Sequence, residues 1–148
     1  MSAELEVKVD GLRVVSMALA RLSTPAGRRQ ALEVIGATVE SQTRRRLSRE
    51  KRDPKGRPWK PWSRDYAARR TGSGGILDLR GSLIDSIRYD VAGEDGVEVG
   101  SSLAYARRHQ LGDEGGKPMP QREFIGLSSA NEREVSEVIG DWLMEGWR

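Results

Sequence analysis

The pattern of apolar and polar positions predicts a short strand at the start of the chain and an amphipathic helix after it. The strand residues that alternate with charged neighbours are Leu5, Val7 and Val9. Their period of two indicates a half-buried strand that ends at Gly11. From Leu12 to Leu22 the apolar residues recur every three or four positions. That spacing predicts a short amphipathic helix.

A long helix is predicted from about Pro25 to about Lys51. Thr24 suits its N-cap, because threonine can accept a bond from a first-turn amide and proline is tolerated at the first helical position. The apolar stripe of this helix consists of Leu32, Ile35, Val39, Thr43 and Leu47. The arginines that lie largely off the stripe are Arg28, Arg29, Arg44, Arg45 and Arg49. Gly36 costs about 1 kcal/mol relative to alanine inside a helix, which indicates a close helix contact at this position.

The stretch from Asp53 to Trp62 is predicted to be a rigid loop between the long helix and the rest of the chain. It reads Asp-Pro-Lys-Gly-Arg-Pro-Trp-Lys-Pro-Trp. Proline excludes regular helix, whereas Gly56 allows a turn with positive φ. Trp59 and Trp62 can each bury roughly 150–250 Å², so they either pin the loop to the core or form a subunit interface. Stacking on single-stranded bases is less well supported, because the interleaved aromatic strands of such a platform are missing.

Short helices and strands are expected to alternate in the middle of the chain. Ser63 is expected to cap a helix that runs through Arg70, and a flexible loop follows at residues 71–75. A helical turn around Leu79 and Leu83 leads into a strand at residues 87–92. The Gly-Glu-Asp-Gly turn at residues 93–96 then joins this strand to another that includes Val97 and Val99, which predicts a β-hairpin.

The last part of the chain is predicted to contain a short helix, a strand and a terminal helix. The short helix spans residues 104–111, and a loop follows at residues 113–120. Phe124, Ile125 and Leu127 are expected to form a strand. Ser129 and Glu132 have the spacing of a capping box at the start of the terminal helix. The residues that share the apolar face of that helix are Val135, Val138, Ile139, Trp142 and Leu143.

Together these elements predict an α+β fold in a single domain over residues 1–148. A small, mostly antiparallel sheet of about four strands is expected to pack against one long helix and a C-terminal helix. A chain of 148 residues is long enough to bury a core. We expect a modest core, because 36% of the residues are apolar and 32% are charged.

The composition excludes several kinds of site. The chain has no cysteine, and therefore no disulfide, thiolate metal site or thiol nucleophile. No apolar stretch approaches the ~20 residues of a membrane-spanning helix, and no basic segment precedes an apolar run at the N-terminus. We expect a soluble protein without an export signal.

Charge is distributed unevenly along the chain. Residues 28–70 contain 14 Lys or Arg against 5 acids, whereas residues 113–148 contain 4 against 8. Such polarity favours a nucleic acid or an acidic partner, and it equally favours head-to-tail self-association. The basic cluster at the end of the long helix comprises Arg44, Arg45, Arg46, Arg49, Lys51 and Arg52. The cluster is interpreted as a solvated helix face, a protein–protein contact or a phosphate-binding surface, and these alternatives stay open.

Candidates for catalysis are few. His109 is the only histidine, and the nucleophile or further ligands that a catalytic or metal site needs are missing. We interpret it as a structural residue packed beside Tyr105. Asp78 and Asp85 could share a helix face, but no lysine lies between positions 62 and 117 to complete a nuclease site. We therefore expect no catalytic residue, no metal and no cofactor.

Several short motifs follow one another in a specific order from the long helix to Ser128. They are Thr43-Arg44-Arg45-Arg46; Asp53-Pro54 through Gly56-Arg57-Pro58-Trp59; Ile76-Leu77-Asp78-Leu79-Arg80-Gly81-Ser82-Leu83, leading into Asp85-Ser86-Ile87; Val99-Gly100-Ser101, followed by Tyr105-Ala106; His109-Gln110-Leu111-Gly112; and Pro120-Gln121-Arg122-Glu123-Phe124-Ile125-Gly126-Leu127-Ser128. Their joint order and spacing resemble the tail-completion or virion morphogenesis family of contractile-tailed bacteriophages, which includes the tail protein of Mu-like phages. The chain departs from that family at Leu47, where an aromatic residue is usual, and at Glu123, where proline is usual.

The resemblance implies a non-catalytic structural protein that completes the head-proximal end of the tail and helps to join the tail to the head. The implied partners are further copies of the chain in a ring, tail tube or terminator proteins, and the head connector. Such a protein would assemble in the host cytoplasm, end in the virion at the head-proximal end of the tail, and have no membrane partner. Non-specific contact with genomic DNA is compatible with this position. The alternative is a non-catalytic DNA-binding protein that uses the basic helix at residues 25–52.

The resemblance also marks a set of signature residues as structural. They are Pro54, Gly56, Trp59, Leu77, Gly81, Leu83, Ser86, Tyr105, His109, Gln110, Gly112, Arg122, Phe124 and Gly126. The candidates for contact with a partner or a neighbouring copy are Arg44, Arg45, Arg49, Arg52, Trp59 and Trp62. Residues 71–75 and 113–116 are candidates for ordering only on assembly. Trp147 is expected to be either solvated or docked on a neighbour.

Overall fold

A computed structural model of the protein describes residues 12–71, 74–78, 81–113, 115 and 118–145, with side chains from residue 16 onward within these ranges. The strand predicted at residues 5–9 lies outside them. In chain order, the helices are α1 (Leu12–Ser23), α2 (Pro25–Arg45), α3 (Arg64–Arg69), α4 (Ser82–Ser86), α5 (Ala104–Leu111) and α6 (Ser129–Met144). The strands are β1 (Ile87–Ala92) and β2 (Gly96–Ser101). The α+β class is as predicted.

The long helix begins and ends close to the predicted residues. Thr24 caps α2, since its Oγ1 accepts a hydrogen bond from the Gly27 amide at 3.0 Å. After Arg45 the helix widens into a π-helical turn at Arg46–Glu50. Lys51 then leaves the helix with a positive φ of 54°, and its amide donates to the Arg46 carbonyl at 2.9 Å. The predicted helical stretch is therefore confirmed, with a π-helical last turn.

The hairpin of β1 and β2 packs across α2. Its register pairs Tyr89 with Val99 and Val91 with Val97, so these four side chains face the same side of the sheet. Gly36 of α2 allows the hairpin to come close, because a Cβ at this position would lie 2.5 Å from Tyr89 Cδ2 and 2.7 Å from Val97 Cγ2. The close contact predicted at Gly36 exists, but the partner is the hairpin and not another helix.

The outer edge of β1 is occupied by side chains from α2. The Tyr89 amide donates to Glu40 Oε2 at 3.0 Å, and Arg44 Nη2 donates to the Ile87 carbonyl at 2.8 Å. Glu40 and Arg44 also form an ion pair at 3.1 Å. This pair satisfies backbone groups that a further strand would otherwise bind.

A sheet of about four strands is not supported: the sheet of the described residues has two. Phe124 and Ile125, predicted as part of a strand, pair instead with the side chain of Gln110. Gln110 Oε1 accepts from the amides of both residues at 3.0 Å, and Gln110 Nε2 donates to the Ile125 carbonyl at 3.0 Å. One side-chain amide therefore takes the place of a neighbouring strand.

The terminal helix α6 begins one residue earlier than its predicted cap implies. Ser128 Oγ accepts from the Asn131 amide at 3.0 Å, and Asn131 Oδ1 accepts from the Ser128 amide at 3.0 Å. The capping box is thus formed by Ser128 and Asn131, and the predicted pair of Ser129 and Glu132 is wrong. Asparagine at this position reaches back to the cap amide as glutamate would. The predicted apolar face is confirmed, with Val135 buried and residues 138, 139, 142 and 143 half-buried.

The other short helices lie where they were predicted. Ser63 caps α3 through its Oγ, which accepts from the Tyr66 amide at 3.2 Å. The hydrophobic core lies beyond the end of α2 and consists of Leu47, Trp59, Leu83, Ile87, Ala106 and Phe124. None of the helices in the described ranges combines the length and apolar character needed to cross a membrane.

Candidate functional site

Arg46 is a structural support in the interior. Only 1% of its surface is exposed. Its guanidinium donates to the carbonyls of Phe124 at 2.8 Å and Gly126 at 3.0 Å, and to Asn131 Oδ1. Burial lowers the pKa of Arg46, while the charges of nearby acids, Glu50 first among them, oppose that shift. The inclusion of Arg46 in a partner-facing basic cluster is therefore wrong.

Three further cations of the predicted cluster are engaged within the chain. Arg44 bonds to β1 and Glu40, as described above, and Arg45 pairs with Glu134 at 3.1 Å. Lys51 Nζ donates to the Leu47 carbonyl and, at 2.9 Å, to the Ile76 carbonyl. The basic cluster is thus largely a set of internal contacts.

Four cations around the following turn are exposed and make no ion pair within the described ranges. They are Arg49, Arg52, Lys55 and Arg57, and we call this group the basic turn. Its backbone is held by Asp53 Oδ1, which accepts from the amides of residues 55 and 57 at 2.9 Å. Gly56 in this turn has a φ of +85°. Two of the predicted interface arginines, Arg49 and Arg52, therefore remain available to a partner.

The loop from Asp53 to Trp62 is fastened to the segment before α6. Trp59 is 6% exposed, and its indole Nε1 donates to the Glu123 carbonyl at 2.7 Å. Arg122 is also buried and donates to the carbonyls of Lys60 at 2.8 Å and Pro61 at 2.9 Å. The prediction that the tryptophans pin this loop to the core is confirmed for Trp59.

Two signature residues meet where this loop crosses the segment. Pro54 is buried, and a Cβ at Gly126 would lie 2.6 Å from Pro54 Cγ. Only glycine allows the Pro54 ring to lie so close to the backbone at this position, and the φ of +156° at Gly126 is also one that other residues rarely adopt.

An open groove of about 980 Å³ lies beside this junction. The aromatic side chains that line it are Trp62, Tyr66, Tyr105 and His109. The prolines that line it are Pro61, Pro118 and Pro120. The charged side chains that line it in the described part of the chain are cationic: Lys60, Arg69 and Arg122. Tyr105 is 41% exposed. The groove is therefore a mainly apolar surface with positive charge, and no carboxylate lines it among the described residues.

Trp62 is held by two contacts at this groove. The Arg70 guanidinium lies 3.8 Å from the Trp62 ring centroid, and Tyr66 meets the indole edge-on with centroids 6.0 Å apart. Trp62, unlike Trp59, is half-buried and presents part of its ring to solvent. Of the two candidate interface tryptophans, Trp62 is thus the one that a partner can reach.

His109 is packed against Tyr105, as predicted, with ring centroids 5.9 Å apart. Its Nδ1 atom is buried without a hydrogen-bond partner in the described part of the chain. Burial lowers the pKa of His109, and the positive charges of Arg122 and Arg108 lower it further. The imidazole is therefore neutral at neutral pH, so it adds no charge to the groove.

The acids considered for a nuclease site serve other contacts. Asp78 lies 3.9 Å from Lys51 Nζ, and Asp85 is exposed. Among the described residues, no group of three or more His, Asp or Glu could hold a metal ion.

The other signature residues shape the backbone around the core. Gly81, which precedes α4, and Gly112, which follows α5, have positive φ. Leu77 also has a positive φ of 62°, and Ser86 Oγ lies 2.6 Å from Ser101 Oγ. Together with Trp59, Gln110 and Arg122, these residues hold the loops that border the groove.

Sequence reasoning missed the interior network around Arg46. Gln42 Nε2 donates to the Asn131 carbonyl at 3.0 Å and belongs to the same network. A signal was present: Arg46 follows Thr43 by three positions and therefore lies on the apolar stripe of α2. No local pattern marks Asn131 as its partner, because 85 residues separate the two.

Known proteins resemble the chain over most of its length. Residues 10–144 match the phage virion morphogenesis family. The chain is 33% identical over 148 residues to the "Putative capsid assembly protein G" of Escherichia phage Mu, and the match covers 94% of each chain. No solved structure matches the chain significantly.

Proposed function

The chain belongs to the phage virion morphogenesis family, and from this premise we propose that it completes the head-proximal end of the tail and joins the tail to the head. Family membership supports a virion-associated assembly protein. The resemblance of its motifs to those of tail-completion proteins supports the tail end as the place where the protein acts. The Mu relative is named for capsid assembly, and a subunit at the junction of tail and head is compatible with both descriptions.

The groove is the observation that carries this proposal. Its exposed rings and prolines make an apolar surface of the kind that binds protein side chains. The residues that support it, such as Trp59 and Arg122, bond to backbone carbonyls of the same chain. This arrangement supports a rigid docking surface and not a reaction site, so we propose a non-catalytic role without a cofactor.

Charge supports assembly through unlike surfaces of neighbouring copies. The basic turn and the groove are cationic, whereas Glu137, Asp141 and Glu145 form an exposed acidic row along α6. A contact between unlike surfaces is head-to-tail, and such contacts close into a ring when the rotation between copies permits it. We therefore propose that the protein acts as a ring, formed either alone or on the end of the tail.

The test is the phenotype of a phage in which this gene is disrupted. We expect lysates that contain filled heads and separate tails, and we expect purified protein to join them when it is added. The particles are counted by electron microscopy and the joined product by plaque formation. Lysates without filled heads would overturn the proposed position and support a role in building the capsid.

A second candidate function, DNA contact, is supported by the basic turn. Its four exposed cations have the side-chain chemistry that neutralises phosphates, and such binding would weaken steeply with salt. Retardation of a DNA duplex by the wild-type protein, lost in Arg52→Glu with Arg57→Glu but kept in Lys60→Glu with Arg69→Glu, would favour this function. No retardation at low salt would remove it.

A further inference from the structure

We propose that the groove of one copy receives the C-terminal end of α6 from a neighbouring copy, with Trp147 as the residue that fills it. This inference rests on the proposed function, because it names the contact that would join copies into a ring.

The groove requires an occupant that is both apolar and acidic. Its volume of about 980 Å³ and its proline and aromatic lining suit a large ring. Tryptophan is the residue most often found as the anchor of a protein interface, and it can bury roughly 150–250 Å². Within the described ranges no carboxylate lines the groove beside Lys60, Arg69 and Arg122, so an acidic segment would complement these cations.

The end of α6 supplies these properties. Asp141 and Glu145 are exposed, lie four residues apart on one side of the helix and make no ion pair within the described ranges. Met144 is 39% exposed beside them. Trp147 follows Glu145 by two positions. Apolar and acidic side chains are therefore combined at one end of the protein.

The direction of α6 excludes contact with the groove of the same copy. Asn131, in the first turn of α6, bonds to Gln42 and Arg46 at the C-terminal end of α2. Trp142, in the last turns, receives a hydrogen bond from Arg21, which precedes the N-terminal end of α2. The two helices therefore run antiparallel, and the end of α6 lies beside the start of α2.

The groove lies at the opposite end of α2. Arg122 lines it, and the neighbouring Phe124 accepts a hydrogen bond from Arg46. The rise from Asn131 to Glu145 is about 21 Å at 1.5 Å per residue. Two further residues extend by about 7 Å at most. The described end of α6 therefore lies away from the groove of its own chain, and we assign the occupant of the groove to another copy.

The test uses the full-length Trp147→Ala protein, whose grooves are empty under this proposal. A labelled peptide of residues 137–148 is titrated with this protein, and binding is measured by fluorescence anisotropy. We expect saturable binding that weakens at high salt. Adding Lys60→Glu with Arg69→Glu to the protein, or Trp147→Ala to the peptide, should weaken binding about tenfold or more.

The matched control is Lys55→Glu with Arg57→Glu in the same protein, which makes the same change in net charge outside the groove. It should bind the peptide within about threefold of the parent, since long-range attraction is largely screened at 0.15 M salt. Absence of peptide binding, or equal weakening by both pairs of substitutions, would overturn the proposal. Circular dichroism establishes that each variant is folded.

A second measurement tests the direction of the contact. The Trp147→Ala protein and the Lys60→Glu with Arg69→Glu protein each keep one of the two contact surfaces. Their mixture should form a dimer that neither forms alone, as measured by light scattering. A mixture that stays monomeric at concentrations where the peptide binds would overturn the head-to-tail arrangement.

The two proposals can fail separately. Peptide binding by a protein that does not join heads to tails would contradict the proposed function alone. Joining of heads to tails by the Trp147→Ala protein at the wild-type rate would contradict this inference alone.

Discussion

Arg46 places a positive charge in the interior although no carboxylate forms an ion pair with it in the described residues. Its partners are two carbonyls and one side-chain amide oxygen. The cost of removing the guanidinium from water is offset by these three hydrogen bonds, which only a planar, forked donor group can make together. The residue therefore joins the end of α2 to the cap of α6 and to the segment beside the groove.

Replacing Arg46 with methionine should lower the free energy of unfolding by about 3–5 kcal/mol, because three buried acceptors lose their donor at once. The measurement is equilibrium unfolding in urea. Arg49→Met is the matched control on the exposed face and should change stability by no more than about 0.5 kcal/mol. A loss below about 1 kcal/mol for Arg46→Met would show that these bonds contribute little.

His109 should make stability depend on pH in a defined direction. Because its pKa is lowered in the folded state, the unfolded chain binds a proton more readily. Stability should therefore be complete above about pH 6.5, the ordinary histidine pKa, and be lost as the pH falls toward the lowered value. His109→Gln should show a smaller difference in urea midpoint between pH 7.5 and pH 5.5 than the wild type. An equal difference would mean that other groups cause the acid sensitivity.

Among the elements, α2 is the one on which the others are arranged. The hairpin, α1 and α6 all pack against it. The hairpin approaches so closely at Gly36 that a side chain of any size would meet Tyr89 and Val97. At this position, the close packing of the hairpin therefore matters more than the low helix propensity of glycine.

Gly36→Ala should destabilise the protein by about 1–3 kcal/mol, although alanine is the better helix former, because the methyl group would overlap the hairpin. Gly140→Ala in α6 is the matched control, since a Cβ at that position would meet nothing within 4 Å. It should stabilise the protein by up to about 1 kcal/mol. Thermal unfolding of both variants gives the comparison, and stabilisation by both would contradict the packing at Gly36.

Elements specified by local patterns were predictable, and elements specified by distant side chains were not. The apolar periods of α2 and α6 and the turn signal of the hairpin each lie within a few residues. The segment at Phe124 and Ile125 has the apolar character of a strand, but its backbone partner is the side chain of Gln110, fourteen and fifteen residues away. Nothing near Phe124 in the sequence identifies that partner.

The groove was only partly predictable for the same reason. Trp62 was recognised as a candidate contact residue from its proline-rich loop. Its neighbours Tyr105 and His109 come from α5, and the segment at Pro118 and Pro120 completes the lining. Arg122 and Trp59 bond the loop to the distant segment, and no local spacing reports that contact.

At the scale of the whole molecule, the exposed cations of the basic turn and the exposed acids at the end of α6 lie at opposite ends of α2. The groove and the basic turn lie beyond the C-terminal end of α2, and the acidic end of α6 lies beside its N-terminal end. In the proposed head-to-tail contact, this polarity favours the correct orientation of neighbouring copies, and the effect should weaken with salt because the Debye length is about 10 Å at 0.1 M.

Arg49→Glu with Arg52→Glu should leave the fold intact, since both side chains are exposed and neither forms an ion pair in the described residues. Arg45 is left unchanged, because it is bonded to Glu134. Self-association, measured as solution mass by light scattering at low salt, should fall in the variant. If the mass is unchanged while wild-type association still falls with salt, the basic turn does not contribute to the contact.

The ion pair of Glu40 and Arg44 on the edge of β1 affects aggregation, which is a risk for any protein that is made in many copies before its partners are present. A hairpin with two open edges can stack with other hairpins into growing sheets, which is a common route to aggregation. Glu40 and Arg44 already occupy two backbone groups of β1, the Tyr89 amide and the Ile87 carbonyl, so a strand that adds on this side would have to displace them. A strand that extends the sheet therefore meets less competition beside β2, and two hairpins that join there would each turn the protected edge of β1 outward.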